Sequence, residues 1–118
     1  MDAEKFIDGK STSLSHYLNQ FLLQEINYRQ LSLFLWETLQ EWQQLAINDE
    51  TIASCKEEVF WHLFFELDHP SSQQLPGNLS KIQLLSRSAL FLQGQGLKPY
   101  GCIGIRPVMP AYLQALQT

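Results

Sequence analysis

Four side chains near the middle of the chain have the types and spacing to hold a metal ion: Glu58, His62, Glu66 and His69. On a helix that turns about 100° per residue, the first three fall near 0°, 40° and 80°, and His69 near 20°. Glu66 and His69 form a Glu-x-x-His pair, the unit that di-iron carboxylate bundles use twice alongside two further glutamates. The chain has one such pair, so other ligands would come from Glu25, Glu37, Glu41 or His16, or from a second copy. The competing reading is a plain wet side for an apolar helix, because Glu and His at i, i+4 stabilise a helix weakly without metal. No cofactor is expected, and a metal-binding bundle ranks third among the functional readings.

A second set is cationic. All 12 acidic residues and four of the eight basic ones lie in residues 1–68, a net charge of −8. Residues 69–118 contain no Asp or Glu, and their charged side chains are Lys81, Arg87, Lys98 and Arg106, a net of +4. Such asymmetry points either to an anionic ligand or to a basic half that folds against the acidic half. Four cations make a thin footprint for nucleic acid, and the acidic half would repel phosphate. Binding of an anionic ligand or nucleic acid through these four residues is the second reading.

Catalytic patterns are missing. There is no Gly-x-Ser-x-Gly elbow. Glu57 and Glu58 are neighbours and point about 100° apart on a helix, so they do not face each other as a catalytic pair. The run Gln93-Gly94-Gln95-Gly96-Leu97-Lys98 lacks the Gly-Lys-Ser/Thr ending of a phosphate loop and reads as a helix stop followed by a turn. Cys55 reads as a core residue and Cys102 lies in a Gly-rich stretch, with no disulfide expected between them.

The elements that would position these residues are helical. Leu14, Leu18, Phe21, Leu22, Ile26, Tyr28, Leu31, Leu35, Leu39, Trp42 and Ala46 recur at three- and four-residue spacing, as an amphipathic helix requires. No Gly or Pro interrupts residues 11–69. One long helix over 13–47 is therefore expected, with Ser11, Thr12 or Ser13 as its cap and a break near Ile26–Arg29 as the alternative. Residues 1–10 lack an apolar period and read as a frayed lead-in. Asp49 can cap a second helix through Ile52, Cys55, Val59, Phe60, Leu63, Phe64 and Leu67 that stops at Pro70. A third is expected over 80–93 from Ser80, stopped by Gly94 and Gly96. A loop-rich segment around 94–109 leads to a short last helix over 110–117, with Pro110 in its first turn.

The expected fold is thus all-α: one domain over residues 1–118, a small bundle of three main helices, the first of them long, and a short fourth. An apolar fraction of 45% supplies enough material for one core. The most apolar run, Val59 to Leu67, is too short to span a bilayer and contains His62 and Glu66. Met1 to Lys10 does not read as a secretory leader, so the expected compartment is the cytoplasm and no membrane partner is expected. Trp36, Trp61 and Phe65 lie off the main stripes of their helices, where large aromatics serve as anchors for a partner. The leading functional reading is a non-enzymatic interaction or regulatory module that binds another protein or a second copy of itself.

Overall fold

The computed structural model describes residues 3–45, 52–69, 73, 75 and 77–107. Among them are four helices and no strand: α1 (Ala3–Leu22), α2 (Tyr28–Gln44), α3 (Cys55–Asp68) and α4 (Leu79–Leu92). They form the expected all-α bundle. The short helix expected over 110–117 lies outside the described residues.

The single long helix over 13–47 is replaced by two helices. The chain turns at residues 23–27, close to the alternative break, through a motif that normally uses glycine. Glu25 N donates to Gln20 O and Gln24 N to Phe21 O, the two bonds of a Schellman cap. Gln24 occupies the left-handed position at φ 60°, where an L side chain costs on the order of 1–2 kcal/mol. With no glycine to announce it, the stop is nearly silent in the sequence. The restart is clearer: Asn27 accepts from Gln30 N and the Gln30 side chain accepts from Asn27 N, a reciprocal capping box.

The break lets α2 fold back along α1. Phe6 meets Trp42 with ring centroids 5.4 Å apart, Tyr17 stacks on Phe34 at 4.2 Å, and Phe21 meets Tyr28 at 6.0 Å. Numbers that rise on α1 fall on α2, so the two run antiparallel. Residues 3–10 are not a frayed lead-in: they belong to α1, and Ala3, Phe6 and Ile7 are buried. Ser11 is a buried residue inside α1, not a cap. Ser15 Oγ donates to Ala89 O at 3.2 Å. Ser15 and Ala89 are both small and buried, and the bond between them brings α1 and α4 close there.

α3 starts later than expected. Ser54 caps it by accepting from Glu57 N, and the expected cap Asp49 lies outside the described residues. Cys55 is therefore a first-turn residue and is exposed rather than core, and Ile52 stands outside the helix at 92% exposure. α4 is capped by Asn78 instead of Ser80, with Asn78 accepting from Lys81 N at 3.1 Å. It ends in a second Schellman cap, Gln95 N to Leu90 O and Gly94 N to Phe91 O, with Gly94 at φ 84°. Gly94 is the stop the sequence announced.

α1 and α3 each pack against all three other helices. α3 is the more apolar: Val59, Phe60, Trp61, Leu63 and Leu67 have no exposed surface, and Phe64 is 1% exposed. At its C-terminus, Tyr28 Oη donates to Leu67 O at 3.2 Å and to His69 O at 3.3 Å, tying α2 to α3. Burial, with Asp68 nearby, pushes the Tyr28 phenol above its ordinary value.

Candidate functional site: the α3–α4 groove and its strap

After α4 the chain returns over α3 as a strap, residues 98–107. Its crossing point is Gly104, whose N–H donates to Glu58 O at 2.8 Å. A Cβ at Gly104 would collide with His62 N and with the Trp61 carbonyl carbon, so only glycine lets the two backbones come this close. Ion pairs fasten the strap on both sides of that point. Lys98 Nζ lies 2.9 Å from Glu58 Oε1, with both side chains about a quarter exposed. Arg106 forks onto Glu57, its Nη2 lying 2.9 Å from Oε1 and its Nε bonded to Oε2. Glu57 is buried and Arg106 partly so, at 4% and 11% side-chain exposure. Trp61 Nε1 also donates to Glu57 Oε2 at 3.1 Å, and Trp42 Nε1 donates to Pro107 O at 3.4 Å. The Glu58 hydrogen bond holds the Lys98 ammonium above its ordinary value.

The four cations of the C-terminal half thus divide into two pairs. Lys98 and Arg106 bind the acidic α3 and fasten the strap. Lys81 and Arg87 lie along α4 on a groove of about 410 Å³ between α3, α4 and the turn at 99–102. Lys81 Nζ is 3.5 Å from Glu66 Oε2. Arg87 is exposed and makes no ion pair among the described residues.

The acidic–histidine stripe divides as well. Glu58 holds Lys98. His62 and Glu66 line the groove, with His62 Nε2 4.0 Å from Glu66 Oε1. His69 is the C-cap of α3, with extended backbone at φ −72° and ψ 138°, so it has left the helical stripe that the angular argument assumed. Among the described residues no group of three or more His, Cys, Asp or Glu is arranged to hold a metal. His62 Nδ1 is buried without a hydrogen-bond partner.

Of the three aromatics singled out, Trp36 is 59% exposed, Phe65 42% and Trp61 0%. Trp61 is therefore not a surface anchor. It lies in an aromatic cluster 5.0 Å from Trp42 and 4.8 Å from Phe60, beneath the strap. Trp36 and Leu33, the latter 55% exposed, border an open depression on α2 that includes Tyr28, Arg29 and Gln73.

Sequence reasoning gave Glu57 and Cys102 no site role and did not single out Ser88. Cys102 is a free, buried thiol with Sγ 3.7 Å from Ser88 Oγ. The Trp61 bond to Glu57 has helical i, i+4 spacing and was the available signal; the Arg106 fork spans 49 residues and left none. Compared with family models, curated proteins and solved structures, the chain matches none.

Proposed function

We propose that the protein is a non-enzymatic interaction module that takes another protein, or a second copy of itself, on the outer face of α2. The observation that carries this reading is Trp36. A tryptophan 59% exposed beside a leucine 55% exposed leaves a large apolar area in water, and Trp is among the residues most often found at the energetic centre of an interface. Tyr28, Arg29 and Ser32 surround the pair and supply the polar rim that interfaces carry. Nucleic acid is a weaker fit, because Lys98 and Arg106 already face glutamates of the same chain. No helix among the described residues is long and apolar enough to cross a membrane, and the proposed setting is the cytoplasm.

The test compares the full chain with Trp36→Glu by sedimentation velocity over a concentration series, and by capture from native lysate with mass spectrometry. The expected outcome is self-association, or retention of a specific protein, that Trp36→Glu abolishes at an unchanged melting temperature. Wild type and variant that behave alike in both measurements would refute the reading.

A further inference from the structure

The groove between α3 and α4 lies apart from Trp36 and has a different chemistry. Its volume of about 410 Å³ is in the range of small-ligand sites, which are typically about 300–1,000 Å³, mostly apolar, with a few convergent polar groups. Leu85, Ser88 and Cys102 in its wall are buried, whereas Leu84 and Tyr100 are exposed. The Ser88 hydroxyl is already used, 3.5 Å from Leu84 O and 3.7 Å from Cys102 Sγ, so this part of the wall suits an apolar body. Charge is concentrated in Lys81, Arg87 and Glu66, with one positive charge in excess. Lys81 is partly answered by Glu66 at 3.5 Å. Arg87 makes no ion pair among the described residues, and its planar fork matches a carboxylate. His62 adds a buried Nδ1 without a partner to the same lining.

We infer that this groove binds a small organic acid, one carboxylate on an apolar body, with Arg87 taking the carboxylate and Leu84, Leu85 and Tyr100 against the body. A single excess positive charge matches a monoanion better than a phosphate dianion. The strap supplies part of the wall through residues 99–102, so the site exists only in the folded chain. This inference is independent of the α2 proposal.

Hexanoate, decanoate and benzoate are the probes, each titrated into ¹⁵N-labelled full chain by amide NMR, with hexanol, decanol, benzyl alcohol and inorganic phosphate alongside. At least one acid is expected to give saturable shifts centred on residues 62, 84–88 and 100–102. A charge-assisted contact of ordinary strength makes the acid about tenfold tighter than its alcohol. Arg87→Gln, an exposed site, should weaken that acid by about the same factor with the amide spectrum otherwise preserved, while Arg29→Gln on α2 leaves it unchanged. The inference is overturned if none of the three acids saturates, if acid and alcohol bind equally, or if the shifts centre on α2. It also fails if phosphate binds as tightly as the acids, or if Arg87→Gln has no effect.

Discussion

The outer face of α2 and the strapped face of α3 each carry a tryptophan off the helix's main apolar stripe, and the two meet opposite fates. Trp36 keeps 59% of its surface in solvent, while Trp61 keeps none. Both lie off the stripe, so helical position alone does not separate them. The difference lies 43 residues beyond Trp61, at Gly104, where the chain crosses α3 closely enough to hydrogen-bond Glu58 O. α3 has a second acidic residue, Glu57, that draws Arg106 down and at the same time accepts from Trp61 Nε1. No described segment does the same for Trp36. An off-stripe aromatic is therefore buried or exposed according to what a distant segment does, and exposure becomes a functional signal only after that segment is located.

If the strap is what buries Trp61, uncoupling it should dominate every surface change on α2. Arg106→Met leaves the buried Glu57 carboxylate with the Trp61 Nε1 bond but no cation, and loss of one partner of a fully buried pair, the upper bound here, costs about 3–5 kcal/mol. Adding Glu57→Gln should return much of that loss, because the orphaned charge is gone. Urea unfolding of the single and double variants measures both; a single variant as stable as wild type would mean the strap is not held there. Gly104→Ala tests the crossing itself. The added methyl would meet backbone atoms of Trp61 and His62, which cannot rotate away, and overpacking of this kind costs about 1–3 kcal/mol. The combined fluorescence of Trp61 and Trp42, the latter bonded to Pro107 of the strap, should shift to the red if the strap lifts, an effect best read in a Trp36→Phe background.

Lys98 gives a smaller effect with a distinctive pH dependence. Its ammonium is held above the ordinary value of 10.5 by the Glu58 hydrogen bond. A group that keeps its proton more tightly when folded contributes fully below its unfolded pKa and loses that contribution as pH rises through the folded one. Lys98→Gln should therefore lower the urea midpoint near neutral pH and converge with wild type well above pH 10.5. A deficit that persists at high pH would show that packing of the lysine stem, not charge, is what matters. Trp36→Ala is the smallest in stability, within about 0.5 kcal/mol as for other surface changes. A large loss would mean that Trp36 supports the fold and is not held ready for a partner.

Much of the helical content was legible. The apolar periods of α1 to α4 are strong, Gly94 marks a stop, and Leu14, Leu18, Leu31 and Leu35 are buried as their spacing requires. The turn at 23–27 was harder because Gln24 does the work of glycine, although Asn27 and Gln30 carried a capping signal. The candidate site was half legible. Angular arithmetic put His62 and Glu66 on one side of α3, and both do line the groove. It failed for His69, which caps the helix and leaves the stripe. It could not tell that Lys81 and Arg87 would line the groove while Lys98 and Arg106 turned inward.

Local information established the helices, because caps and apolar periods act within a few residues of each other. The charge asymmetry left open whether the basic half lies against the acidic one or faces an anionic ligand, and it named no pairs. Which glutamate takes which cation, which tryptophan is covered and where a groove opens were decided by contacts spanning 40, 49 and 65 residues: Lys98 to Glu58, Arg106 to Glu57 and Trp42 to Pro107. Such contacts depend on the direction in which each helix leaves its cap, and that geometry exists only once the bundle has closed.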